Sequence, residues 1–419
     1  MLNMVGLKKY RMAVLLTFMF ILNVGNAQHD GSKGVNDAKD KKEKNVAFIP
    51  LPILASNPTN GFMYGVAPGA TWFMGDPAKT TISSGLGSVI YTTNKQLILT
   101  AKTNVFTEGD TWNFIGDWRY FITSQPSFGL GTGPNSNKIV DGGFEYQDDM
   151  LSAPIKEAQM LEFNYVRFHE TAMKRYKDTR LFLGVGYHLD IHSNIEDNLL
   201  DLEAEIPVLT SHYLYNTAHG FSTTGYALSG VSLNVLYDSR DNTTNPYSGR
   251  YAYVNFRMNS EFMGSDQRST MLWAEFRDYI SLNKNRPRHM VAFWTYASSV
   301  TSGNVPYLDL PAVGWDQFGK SGRAYTKGRF IGEDIWYGEV EYRFPLQKNK
   351  DTFGAVAFVN ATTASNRMNN IHLFDHLDVA GGVGLRIMIN KKRRTNLTLD
   401  YAWGKYGAKG FYLGINETF

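Results

Sequence analysis

Apolar side chains recur at every second position along most of this chain, with polar and charged residues between them. The run from Trp336 to Leu346 shows this most fully: Trp336, Val340, Tyr342, Phe344 and Leu346 alternate with Tyr337, Glu339, Glu341 and Arg343. A strand turns such sets to opposite faces. Large apolar groups on one face, with carboxylates and a guanidinium on the other, suit a wall that has lipid outside and water inside. The same division recurs in other segments. Ala252, Val254, Phe256 and Met258 oppose Tyr251, Tyr253, Asn255 and Arg257; Leu272, Ala274, Phe276 and Ile280 oppose Glu275 and Arg277; Leu397, Leu399 and Tyr401 oppose Asn396, Thr398 and Asp400.

About sixteen such segments fit between residues 46 and 419, an even number, as bacterial outer-membrane barrels require. The pattern therefore predicts an all-β fold, a transmembrane barrel of about sixteen antiparallel strands. Hydrocarbon cannot satisfy open backbone edges, which favours closure. Helical periodicity is scarce; Glu196 to Glu205 is the one stretch that reads as a short helix, inside a loop. The long connections, 124–156, 192–223, 301–332 and 362–377, follow the fifth, seventh, eleventh and thirteenth segments and so lie at one end. Short turns at the other end complete the asymmetry of a barrel with extracellular loops and periplasmic turns. A soluble sandwich has no reason to sort its loops in this way.

The first residues change the picture of charge and destination. Lys8, Lys9 and Arg11 precede an apolar run from Met12 to Val24 and then Gly25-Asn26-Ala27, the pattern of a secretory signal peptide over residues 1–27. Without its cations the formal net charge of +3 falls to zero, which removes the case for nucleic acid. Residues 28–45 are polar and charged and read as a flexible periplasmic lead-in, leaving 46–419 for the barrel. The chain has no cysteine, so an exported fold must rely on backbone pairing and packing. Aromatic residues make up 14% and charged residues only 19%, and a soluble chain of this length would show more helical periodicity. The implied address is the outer membrane of a Gram-negative bacterium, with outer-membrane lipid as the surrounding partner.

Several sites could carry chemistry. His188, Asp190 and His192 share one strand face and are ligand-type side chains, but three residues entering a loop fall short of a complete metal site. Polar rim residues are the plainer account, and no cofactor is expected. Gly129, Gly131 and Gly133 lack a following helix, which excludes a dinucleotide loop. No serine, histidine and acid constellation stands out, so the chain does not read as an enzyme. Lys391 to Arg394 fall in a short turn, as solvated cations or as contacts to lipid headgroups.

Three motifs resemble the barrel of the bacterial surface antigen family, the superfamily containing BamA and TamA. The first is Asp238, Arg240, Asp241 and Asn242 with Pro246 and Gly249, similar to the family's periplasmic turn. The second is Gly322-Arg323-Ala324-Tyr325 with Gly328-Arg329-Phe330 and the strand through Glu339 and Glu341, similar to an inward-folded loop between strands 11 and 12. The third is Phe358-Val359-Asn360-Ala361-Thr362. The resemblance implies a loop lock of Arg323, Tyr325, Arg329, Glu339, Glu341 and Asn360, with Arg323 in the bore; the alternative is a solvated loop arginine. Ala324 stands where the family has glycine, and Asn360 where it has aspartate. The resemblance also implies a seam between first and last strands that parts sideways. Pro50 and Pro52 lack N–H groups and would weaken that seam against Phe411, Leu413 and Phe419, or else mark only a loose strand end. The implied role is outer-membrane protein assembly, insertion or translocation, with periplasmic or surface-exposed protein partners. A passive pore, or a docking barrel for a surface partner, is the alternative. The soluble periplasmic repeats of BamA and TamA are not expected in residues 28–45.

Overall fold

The computed structural model describes residues 46–57, 61–136, 138–147, 150–348, 350–391 and 394–419. The segments read as a signal peptide, 1–27, and as a lead-in, 28–45, lie outside the described residues. Sixteen strands form one antiparallel sheet in chain order. They are β1 (Val46–Asn57), β2 (Gly61–Trp72), β3 (Ser83–Thr92), β4 (Leu97–Phe106), β5 (Trp112–Ser127), β6 (Gln159–Arg175), β7 (Leu181–Asp197) and β8 (Gly225–Asp238). They continue with β9 (Gly249–Asn259), β10 (Ser269–Ser281), β11 (Met290–Gly303), β12 (Asp334–Pro345), β13 (Phe353–Ala364), β14 (Asp378–Asn390), β15 (Thr395–Gly404) and β16 (Lys409–Ile415).

Alternation sorts the side chains as the pattern predicts. In β12, Tyr337, Glu339, Glu341 and Arg343 are buried, while Val340 and Tyr342 are exposed on the other face. In β9 and β15 the inward Tyr251, Asn255, Arg257, Asn396, Thr398 and Asp400 are buried too. Strands β6 and β7 each run for 17 residues, well beyond the ~9–11 that cross a bilayer, and carry the sheet past the membrane on the long-loop side.

The connections after β5, β7, β11 and β13 are the long ones, and strict antiparallel order puts them at one end. The expected helix at Glu196–Glu205 is absent. The ladder between β6 and β7 holds Asp197 opposite Leu161, and the chain then turns. The helix of that loop is Ser211–Ala218, where Thr210 accepts a hydrogen bond from the Tyr213 N–H. Thr210 acts as an N-cap, satisfying an otherwise open donor.

No ladder joins β1 to β16 among the described residues; these two strands are the ends of the sheet. Pro50 and Pro52 lie within β1, opposite Pro68 and Val66 of β2. Inside the sheet, buried apolar groups form two large clusters. One gathers Trp294, Tyr296, Tyr337, Phe358, Tyr325, Phe330 and Phe419; the other gathers Phe121, Tyr165, Tyr215, Tyr226, Tyr307 and Ile331. Loop residues contribute to both, so the bore is packed.

Candidate functional site: a loop latched in the bore

The loop between β11 and β12 folds as a hairpin before it meets any wall. The Gly332 N–H bonds Pro311 O at 3.1 Å, Val313 N–H bonds Phe330 O at 3.0 Å, and Gly328 N–H bonds Val313 O at 2.9 Å. At the tip, the Asp316 carboxylate accepts the N–H groups of Lys320 and Ser321 and the Ser321 hydroxyl. A Tyr325 N–H to Gly322 O bond of 2.9 Å closes the turn that carries Arg323. Gly322 has φ of +75°, and a Cβ there would sit 2.4 Å from Val313, so only glycine fits.

Arg323 is 4% exposed and meets three carboxylates. Its Nη2 pairs with Glu339 and Glu341, and its Nη1 donates to Asp400 at 2.8 Å. The guanidinium lies 3.4 Å above the centre of the Phe358 ring, a cation–π contact. The Arg323 carbonyl accepts from Asn360 Nδ2 at 3.1 Å. A further ring of charge supports these acids. Arg343 donates to Glu341 at 2.6 Å, and Arg386 donates to Asp400 at 2.5 Å and Glu417 at 2.6 Å. Asn396 adds a bond of 2.6 Å to Glu417. Buried ions persist only when paired and hydrogen-bonded in this way.

Tyr325 and Arg329 extend the contact. The Tyr325 hydroxyl donates to Val379 O at 2.7 Å and accepts from the Lys405 N–H at 3.1 Å. Arg329 stacks between Phe128 and Tyr406, 4.3 and 4.6 Å from the ring centres. Ala324 has φ of +93°, and its N–H donates to the Tyr412 hydroxyl at 2.9 Å. Lys320 Nζ donates to Glu417 O at 2.6 Å, and burial pushes its ammonium down to about 8.

The opposite wall grips the same loop. Arg119 on β5 pairs with Asp117 and donates to the carbonyls of Asp316 and Gln317, both at 3.0 Å. Trp315 Nε1 donates to Gln125 Oε1 at 2.9 Å. The loop thus spans the bore from β5 to the side formed by β12–β16. Above it, Gly131 N–H bonds Ile331 O at 2.7 Å and Gly133 N–H reaches Asp378 Oδ2 at 3.1 Å. The glycine triplet is a packing strap over the hairpin.

The remaining sequence candidates separate. Phe411 and Leu413 are outward and 74% and 60% exposed, but Phe419 does not join them. The backbone turns at Asn416, with φ of +61°, and carries Phe419 inward to 5.3 Å from Trp294. Glu417 follows the same turn to its cationic partners, Arg386 and Arg343. The ligand-type trio is likewise divided. Asp190 binds Tyr165, Arg167, His169 and Arg257; His188 bonds Ser232; His192 stacks on Tyr165. Among the described residues no group of three or more His, Cys, Asp or Glu side chains could hold a metal.

The turn between β8 and β9 has its own order. Asp238 pairs with Arg240, Asp241 caps the N–H groups of Tyr247 and Ser248, and Asn242 caps those of Thr244 and Asn245. Pro246 is buried in this turn. Gly249 has φ of +99°, and a Cβ would approach Ser239 O to 2.2 Å. Arg394, read as a solvated cation, instead pairs with Asp241 at 2.6 Å and lies over Tyr247. Among the described residues Lys391 forms no such pair, and residues 392 and 393 lie outside them.

A profile of the Omp85 superfamily domain matches residues 128–419. The chain belongs to the Omp85 superfamily. It is an outer-membrane β-barrel of that group. Its fold is similar to BamA from Haemophilus ducreyi lacking POTRA domains 1–3, with a TM-score of 0.51 and 13% identity over 88% of this chain and 69% of that one. It is similar also to CdiB from Acinetobacter baumannii, with a TM-score of 0.51 and 13% identity over 89% of this chain and 60% of that one. No curated protein sequence matches it. For this Omp85 barrel, the likeness at such identity concerns the fold.

The members of the Arg323 charge cluster missed in the sequence are Asp400, Arg343, Arg386 and Glu417. Each sits at an inward position of a strand or its continuation, so alternation exposed their direction but not their convergence. Asn360, which stands where the family has aspartate, donates to the Arg323 carbonyl, and Asp400 supplies a third carboxylate from β15.

Proposed function

We propose that this barrel mediates insertion or translocation of polypeptide at the outer membrane, with the β11–β12 loop as its internal lock and the β1/β16 boundary as its lateral opening. The observation that carries this reading is Arg323, buried against Glu339, Glu341 and Asp400 while the same loop is held by β5. A bore filled in this way does not suit a passive pore. The sheet edges at β1 and β16, with Pro50 and Pro52 in the first strand, supply a place where the wall can part. The partners of such a protein are outer-membrane lipid and periplasmic or surface-exposed polypeptides.

The chain has no cysteine, so a cysteine in β1 and one in β16 form the sole disulfide available. Oxidation of that pair abolishes insertion or translocation in reconstituted vesicles, and reduction restores it. Full activity with the disulfide formed contradicts the lateral opening.

A further inference from the structure

The outward face of the described wall is apolar along most of its length, and charged residues are few on it between the strand ends. On β6 the inward residues are Tyr165, Arg167 and His169, which meet Asp117 and Asp190 in the bore. Strand alternation then turns Val166, Phe168, Glu170, Ala172 and Lys174 outward. Lys174 lies near the short-turn rim, with its ammonium 5.6 Å from the Trp112 ring, the posture of a cation at a membrane border. Glu170 lies four residues deeper, ~13 Å along the strand. Two other charged residues alternate outward within described strands, Glu162 on β6 and Asp278 on β10, each three residues from a strand end, with Asp278 paired to Arg250 at 3.2 Å; Glu170 stands five residues from its nearer end.

Its surroundings are built for it. Trp118 Nε1 donates to Glu170 Oε2 at 3.2 Å, and the Trp118 ring stacks on Phe168 at 5.9 Å with an interplanar angle of 11°. Across the ladder Glu170 faces Gly116, which faces Thr103 on β4. A Cβ on Gly116 would lie 2.7 Å from Thr103 Oγ1 and 3.0 Å from Glu170 Oε2. The missing side chain therefore leaves a dimple toward which a carboxyl and a hydroxyl converge, beside a stacked aromatic pair.

Ionisable groups inside a membrane are costly and mark sites where polar partners arrive. A carboxyl has more acceptor positions than one indole N–H fills. At this depth a lipid headgroup does not reach, so the partner's donor must be carried on its hydrophobic part. We propose that Glu170, Thr103 and Gly116 form a lipid-facing site for a hydroxyl-bearing acyl chain. The chain lies along the Trp118–Phe168 pair, and its hydroxyl bonds the carboxyl over the dimple. This site lies outside the bore and is independent of the loop lock.

The test uses the full-length barrel in vesicles made from equal amounts of two lipids with one headgroup and one chain length, one of them hydroxylated on the acyl chain. After mild detergent extraction, lipid retained by the protein is measured by mass spectrometry. The wild type retains the hydroxylated lipid about five- to tenfold over its partner, the range one hydrogen bond supplies. Glu170→Leu and Thr103→Val, both suited to a lipid face, reduce the preference toward unity. Equal retention by the wild type, or a preference unchanged in Glu170→Leu, overturns the site. A protein copurifying through Glu170 in place of lipid overturns the acyl-chain assignment.

Discussion

Arg323 is the residue on which three buried carboxylates converge. Removing its side chain leaves Glu339, Glu341 and Asp400 sharing a buried space without their common cation. Breaking one partner of a buried ion pair costs about 3–5 kcal/mol. Arg323→Ala therefore lowers the temperature at which the folded form is lost in heat-dependent gel electrophoresis. Arg323→Lys recovers only part of the loss, because an ammonium cannot make the fork to separate carboxylates or the same contact with Phe358. Next to it, Ala324 holds a φ of +93°, a region that favours glycine. Ala324→Gly relieves that strain and stabilises the folded form by about 1 kcal/mol in the same assay. Unchanged stability in Ala324→Gly would show that the surrounding contacts absorb the strain.

At the level of elements, the strands and the places of the long loops are legible in the sequence, and the structure inside those loops is not. Alternation in β9, β10, β12 and β15 depends on lipid against one face and buried polar groups against the other, a local rule that each strand states for itself. The helix 211–218 obeys tertiary demands. His212, Tyr215 and Asn216 are all buried, and Asn216 Oδ1 accepts the N–H of Tyr307 from the neighbouring loop at 3.0 Å. No periodic apolar stripe announces such a helix, so its neighbour Glu196–Glu205 drew the expectation instead. The same gap explains Phe419 and Glu417. Their direction depends on one left-handed residue, Asn416, which alternation does not anticipate.

That helix carries a pH prediction. Burial, followed by the nearby His192, pushes the His212 imidazole down to about 4 from 6.5. Asp197, Tyr226 and Tyr307 also face it, and Asn216 donates to its Nε2. The undocked helix thus binds a proton more readily than the docked one, so docking strengthens as pH rises. The stability from a neutral His212 is fully present above 6.5 and is lost as pH falls toward about 4. Amide hydrogen exchange in 211–218, corrected for its intrinsic pH dependence, should accelerate by up to about tenfold per pH unit across that window. His212→Gln flattens the response.

At the scale of the molecule, the loop behaves as a strut. It takes Arg119 and Gln125 on one side, then Glu339, Glu341, Asn360, Val379, Asp400 and Tyr412 on the other. Through Tyr412 and Glu417 it touches the last strand and its continuation, which form one side of the β1/β16 boundary. Closure of the bore and the position of that edge are therefore joined by the same few hydrogen bonds. The Asp241–Arg394 pair links two turns at the opposite rim and leaves the loop untouched.

The most direct test is the accessibility of the loop tip in intact membranes. Ser321 is buried, hydrogen-bonded to Asp316 and Tyr296, and its replacement by cysteine introduces a single thiol into the chain. A loop held in the bore keeps Ser321→Cys resistant to a water-soluble maleimide added to whole vesicles, and combination with Arg323→Ala makes it reactive. Rapid labelling of Ser321→Cys with Arg323 intact would contradict a loop latched in the bore.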